Sequence, residues 1–295
     1  MSSGLFDRVS FNAAISVIGF GLAPLLKKVA IQGGVTPWMV SLVSACGAAM
    51  ISVAFLARLR PQKFSQLFDR RYLLPLAGIG IVATGIVTLL AAAALSTTSA
   101  TNRSLFHAAY PAATLLFAHF LLGERLHVRQ YIAIALLLLG LLVMNKPGGE
   151  FQFHQGFWLL LATLPLIGLT DVYSKRLTGD VSPQLLAAGR NLYGALFIAG
   201  IALFVDLGDQ LSAGQALALL AAGGCQGIGV WMLFRAFERS KASLVSSLVA
   251  ASPLVTLILE VTLLGFSLTS VQWLGMLIVI AAAVWLAQTG EKEKG

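Results

Sequence analysis

Residues 94–130, ALSTTSATNRSLFHAAYPAATLLFAHFLLGERLHVRQ, and residues 236–272, AFERSKASLVSSLVAASPLVTLILEVTLLGFSLTSVQ, read as two copies of one unit. Laid over each other at a shift of 142 residues, without a gap, they share 13 of 37 positions. Apolar composition inflates chance identity, but the matches include Pro111 with Pro253, Gly123 with Gly265 and Gln130 with Gln272. Outside this window Gly85 falls on Gly227, and a nearby shift of 146 places Thr36-Pro37 on Ser182-Pro183. The chain is therefore an internal duplication.

What is duplicated is set by composition. Of 295 residues, 58 % are hydrophobic and 11 % charged, with a mean hydropathy of +0.86. A water-facing globule needs about 25 % charged residues, whereas a bilayer removes that need. Apolar stretches fill the chain from end to end, which excludes a single surface anchor. Ten stretches are long enough to be read as spanning helices: 11–31, 38–56, 72–95, 99–122, 128–144, 157–173, 185–205, 213–234, 244–266 and 273–287. Turn chemistry separates them at Gly33-Gly34-Val35-Thr36-Pro37, Lys146-Pro147-Gly148-Gly149 and Gly179-Asp180-Val181-Ser182-Pro183. Alternating strands are missing, which argues against an outer-membrane barrel. The expected fold is an all-α integral membrane protein, ten helices arranged as two inverted five-helix repeats around a central cavity. The expected division is a cytoplasmic amino terminus (1–10), a first repeat (11–145), an extracytoplasmic linker (146–156), a second repeat (157–288) and a cytoplasmic tail (289–295).

Orientation follows from Lys and Arg. With the amino terminus inside, 15 basic residues fall on inner segments and 4 (Lys27, Lys28, Arg103 and Lys146) on outer ones. That bias puts both termini in the cytoplasm of a bacterial-type plasma membrane. It also accounts for the net charge of +8 without nucleic acid. Residues 1–10 are short and carry Asp7 and Arg8, so the first apolar stretch is expected to be retained rather than cleaved. Cys46 and Cys225 lie within apolar stretches and form neither a disulfide framework nor a zinc site. Five spans per half is an odd number, so the second half is expected upside down relative to the first, as in many secondary carriers.

The residues Ala94-Leu95, Ala100, Pro111, Leu121-Leu122-Gly123-Glu124-Arg125-Leu126 and Gln130 resemble the drug/metabolite transporter superfamily, specifically its EamA-type ten-helix exporters. So does their second copy: Ala236-Phe237, Ala242, Pro253, Leu263-Leu264-Gly265, Leu268 and Gln272. Ser182-Pro183 with Arg190 resembles the family's opening of the second helix of each repeat. The likeness spans roughly residues 11–287. It implies a basket of helices around a central cavity, lined chiefly by the third, fourth, eighth and ninth, and export of amino acids or related metabolites. The second copy departs at Gly265-Phe266, where the first has Gly123-Glu124.

Charged and polar groups at bilayer depth need a reason. In the fourth span Arg103, His107, Tyr110 and Thr114 step by 4, 3 and 4 and share one helical face, with Asn102 beside them. In the ninth, Ser252, Thr256 and Glu260 step by 4 and 4. Ser252 is the repeat counterpart of Tyr110, and Thr256 of Thr114. Asn102, His107, Tyr110, Thr114, Ser252, Thr256 and Glu260 are therefore the candidate substrate-binding set. The competing reading is hydrogen bonding between helices. His107 or Glu260 can carry a proton in a coupled exporter, or hold a static bond or a pairing with Arg103. Arg190, Asp171, Lys175 and Glu124 are candidates for an ion pair or inner gate, Asp171 and Lys175 being one turn apart. Pro111 and Pro253 are expected to kink their helices beside the polar stripes. No P-loop, His-Glu-x-x-His or Gly-x-Ser-x-Gly motif occurs, and the four histidines share no metal-ligand spacing with a carboxylate. The function expected is secondary transport of a small polar metabolite by alternating access, with no cofactor or metal, no nucleic acid, and the bilayer as partner. Proton coupling, and monomer against homodimer, stay open. An intramembrane enzyme, a channel or a receptor using the same cavity are the alternatives.

Overall fold

A computed structural model describes residues 3–123, 127–144, 154–208, 211–240, 245 and 248–291, with side chains for residue 9 and residues 11–285 of these. No strand occurs among the described residues. The helices are α1 (Ser3–Gln32), α2 (Pro37–Leu59), a 3-10 helix (Pro61–Phe68), α3 (Arg70–Thr97), α4 (Ala100–Leu122), α5 (Val128–Met144), α6 (Gln155–Leu177), α7 (Pro183–Ala202), α8 (Ala213–Phe237), α9 (Ser252–Leu264) and α10 (Ser270–Glu291). Seven of them (α1 from Phe11, α2, α3, α4, α6, α7 and α8) are long and apolar enough to cross a membrane. The apolar parts of α5, α9 and α10 are shorter.

Local chemistry sets these boundaries, and it repeats. Thr36 Oγ1 accepts from Met39 N at 3.3 Å, and Ser182 Oγ from Leu185 N at 3.4 Å; a proline follows each cap, where its missing N–H costs nothing. α4 and α9 both end on a glycine in the left-handed region, Gly123 at φ 70° and Gly265 at φ 63°. Gln130 Oε1 then accepts from His127 N, and Gln272 Oε1 from Thr269 N, reciprocating at the start of the next helix. The residues that match between the two halves are thus largely helix start and stop signals.

One expectation about prolines is revised. Pro111 lies inside α4, which is helical on both sides of it. The expected continuous ninth helix is instead interrupted: Val245, Leu248 and Val249 are helical, Ala250 and Ala251 form a turn, and α9 begins at Ser252. Pro253 therefore sits in a first helical turn, where proline is favoured, and is not a mid-helix kink. Another irregularity was not anticipated: α3 winds as a π-helix over Gly80–Ile86, a form often found at functional positions.

Packing between helices also pairs up. α1 lies on α8 as α3 lies on α6; α2 lies on α8 as α3 lies on α7; α4 meets α6 as α1 meets α9. The remaining major contacts (α2 with α7, α5 with α10, α4 with α9) join equivalent helices of the two halves. Small residues allow the closest crossing. A Cβ on Gly223 would lie 2.0 Å from the Ser44 carbonyl oxygen, so α2 and α8 touch backbone to backbone.

Charged side chains close the helix ends. Glu260, 2 % exposed, accepts from the backbone N–H of Ala100 at 2.9 Å and of Thr101 at 2.6 Å, while Ser99 Oγ accepts from Asn102 N at 3.0 Å. The first three N–H groups of α4 are thereby satisfied. Lys28 Nζ donates to the carbonyls of Leu95 and Thr98 at the end of α3 (2.8 and 2.7 Å). Lys175 Nζ donates to the carbonyl of Phe237, the repeat counterpart of Leu95, at the end of α8. In both cases a cation meets the negative end of a helix dipole.

Candidate functional site

The buried apolar residues fall into two large clusters. One gathers α3, α4, α5, α6, α9 and α10 around Phe106, Tyr110 and Leu137. The other gathers α1, α2, α3, α7 and α8 around Phe20, Leu186, Val230 and Phe234. Between them runs a polar seam. Lys27, Arg103, His107, Tyr110, Arg190 and Asp171 follow one another along it. Lys27 lies within electrostatic reach of Arg103, His107 of both Arg103 and Arg190, and Arg190 of Tyr110 and Asp171.

Each group is held by an identifiable element. Arg103, His107 and Tyr110 stand on the inward face of α4, where the His107 ring lies 4.9 Å from Tyr110 and 5.0 Å from Phe20 of α1. Arg103 and His107 keep accessible surface although they are deep in the bundle. Lys27 of α1, 4 % exposed, donates to Gln226 Oε1 of α8 at 2.8 Å. Arg190 of α7 touches Asp171 of α6 through one contact of 3.4 Å, and its guanidinium lies 5.7 Å from the Phe234 ring centre. A bidentate arginine–carboxylate pair would be shorter and doubled; this one is slack.

Four buried polar atoms along this seam have no hydrogen-bond partner among the described residues: Arg103 Nε, His107 Nδ1, Arg190 Nε and Asp171 Oδ2; the same holds of Ser252 Oγ and Trp231 Nε1. Native proteins satisfy nearly all such atoms. A cluster of exceptions on one internal path marks a place where water or a solute completes the bonding.

The residues singled out from sequence thus divide. His107, Tyr110, Arg190 and Asp171 come together in the seam. Ser252 is buried at the start of α9 with its hydroxyl unpartnered. Thr256 Oγ1 is engaged between helices, with Ser104 Oγ at 2.7 Å and the Gly21 carbonyl at 2.8 Å. Thr114 bonds back to the Tyr110 carbonyl of its own helix, and Asn102 Nδ2 donates to Thr98 Oγ1. Glu260 caps α4 as described, and Lys175 turns to α8 instead of pairing with Asp171. Glu124 lies outside the described residues. No group of three or more potential metal ligands occurs among the described residues.

Sequence reasoning passed over Lys27, Phe20 and Gln226. It placed Lys27 among outer charges. Yet Ser16, Phe20, Ala23 and Lys27 step by 4, 3 and 4, the same spacing as on α4, which is the signal that would have found this face. Asn191 is a further internal tie: Nδ2 donates to Ser52 Oγ at 2.8 Å, and Oδ1 accepts from Thr84 Oγ1 at 3.1 Å. Apart from the seam, a lateral crevice of about 650 Å³ opens between α3, α4 and α6, lined by Leu74, Val82, Leu121, Leu169 and Tyr173 with Arg70 and Arg71 at its rim.

A polar path through an otherwise apolar, repeat-built helical bundle is the signature of a membrane transport protein. The EamA-like transporter family model matches residues 8–146 and again 154–288, so the chain belongs to that family, within the drug/metabolite transporter superfamily. It is a multi-pass membrane protein carrying two copies of the EamA unit. No curated protein matches the sequence. A solved structure described as "Crystal structure of protein" is 19 % identical, covers 96 % of this chain and 98 % of its own, and superposes with a TM-score of 0.71. At that identity the likeness is one of fold.

Proposed function

We propose that this protein is a secondary carrier that exports amino acids or related small polar metabolites across the plasma membrane by alternating access. The observation that carries the reading is the seam: deep groups with unfilled hydrogen-bonding capacity, lying between two apolar clusters. All ten apolar stretches cross the bilayer in this reading, the second half is inverted, and both termini are cytoplasmic. The reciprocal packing of equivalent helices supports the inversion, because a two-fold relation gives the cavity two near-equivalent ends. His107, Tyr110 and Ser252 contact the solute. The slack Arg190–Asp171 pair serves as the inner gate, since its single 3.4 Å contact leaves Arg190 Nε and Asp171 Oδ2 open to a solute or water.

Counterflow in proteoliposomes tests this. Vesicles preloaded with a mixture of unlabelled amino acids should accumulate labelled substrate transiently. A His107→Ala or Tyr110→Phe variant that folds normally should lose at least tenfold in initial rate. Imposing a pH gradient separates proton exchange from passive facilitation. Currents above carrier turnover would establish a channel, and product formed in detergent without a gradient would establish an enzyme. Either result overturns the carrier reading.

A further inference from the structure

Asp171 and Glu260 are the only carboxylates within the ten apolar stretches, and both are committed. Glu260 gives both oxygens to the amino end of α4, and Asp171 faces Arg190. On the cationic side Lys28 is spent on the end of α3. Two cations deep in the bundle remain without a protein anion among the described residues. Lys27 has a neutral amide oxygen as its acceptor, and the Arg103 side chain has an unpartnered Nε and no ion pair among the described residues. They stand within electrostatic reach of each other on facing helices, α1 and α4. Two like charges sharing a low-dielectric interior are costly, and the fold retains both on facing helices.

We propose that Lys27 and Arg103 together form the binding site for a carboxylate of the transported solute, which is therefore an organic acid or an acidic derivative and carries net negative charge while inside. A planar guanidinium fork beside a point-charge ammonium suits the two oxygens of a carboxylate. His107, between this pair and Arg190, then meets the body of the solute, and Arg190 offers a second cationic station further along. This rests on the carrier reading for the word "transported"; the anion site itself does not.

The test uses the purified full-length protein in detergent at constant ionic strength. Acetate, succinate, glutamate and benzoate are each compared with the corresponding amide, and with chloride, for their effect on thermal unfolding. At least one carboxylate should raise the unfolding temperature saturably, while its amide and chloride do not. In Arg103→Gln and in Lys27→Gln the half-saturating concentration should rise tenfold or more, and in Arg103→Lys by less. Equal effects of acid and amide, equal effects of chloride, or no effect of any acid would overturn the proposal, all in wild-type protein, so that misfolding of a variant cannot obscure the outcome. Counterflow run in parallel separates the two readings. Saturable carboxylate binding without counterflow removes the carrier and leaves the site. Counterflow of neutral or cationic solutes without carboxylate binding removes the site and leaves the carrier.

Discussion

Replacing Glu260 by Gln separates a helix cap from a proton or substrate group. The carboxylate accepts from two adjacent backbone N–H groups, at 2.9 and 2.6 Å, with 2 % of the residue exposed. Gln keeps one oxygen and turns an NH2 toward the second donor, so one charge-assisted bond is lost, costing about 1.5–3 kcal/mol. Removing the negative charge from the amino end of α4 costs roughly a further 0.3–2 kcal/mol. The sum, about 3 kcal/mol, corresponds to a fall of about 6 °C in unfolding temperature at the ~2 °C per kcal/mol expected of a chain this long. Tryptophan fluorescence during a temperature ramp reads the shift. Counterflow well below the transition should stay within about threefold of wild type, because the cap does not touch the seam. An unchanged unfolding temperature together with abolished transport would refute the reasoning and assign Glu260 to the solute or the proton.

Asp171→Asn should destabilise by about 3 kcal/mol by stranding Arg190, and Asp171→Asn with Arg190→Gln should recover most of that in the same melt. Gly223→Ala should lower the yield of folded protein sharply, overpacking by about 3 kcal/mol, since the new Cβ meets the Ser44 backbone oxygen at 2.0 Å; size-exclusion profiles show the loss. Paired cysteines, Ser104→Cys with Thr256→Cys, replace hydroxyls 2.7 Å apart and should oxidise readily, monitored by mobility on a gel after thiol labelling, while counterflow persists.

Much of the fold was legible because the signals that shape it are local. Apolar length gave the helices, and the residues repeated between halves, Pro37 with Pro183, Gly123 with Gly265, Gln130 with Gln272, are the very residues that start and stop them. The polar stripe of α4 was legible for the same reason, one helical face being a matter of spacing. Partners were not legible where one of them is backbone. Nothing in the spelling of Glu260, Lys28 or Lys175 says that their partners are N–H or C=O groups of helix ends distant in sequence. Lys175 and Asp171 have the spacing of a pair, yet Asp171 meets Arg190 of the next helix and Lys175 meets Phe237. The break before α9 escaped notice because Ala250 and Ala251 carry no turn signature; Pro253 marked the place and was read as a kink in a continuous helix.

The placement of the caps bears on which parts can move. Glu260 belongs to the second half and caps a helix of the first, and Thr256 bonds Ser104 and the Gly21 carbonyl from the same helix. α9 is therefore fastened at two levels to α4, and at one to α1. Breaking those bonds on every cycle would expose several buried donors at once, at about 1–3 kcal/mol each. Arg190 and Asp171, by contrast, are joined by one long contact, and Lys27 and Arg103 by none. On the proposed carrier reading the rigid element is then the α4–α9 joint, and the seam should open at its slack members, the cationic pair that a carboxylate would bridge and the Arg190–Asp171 contact whose arginine that carboxylate could take over.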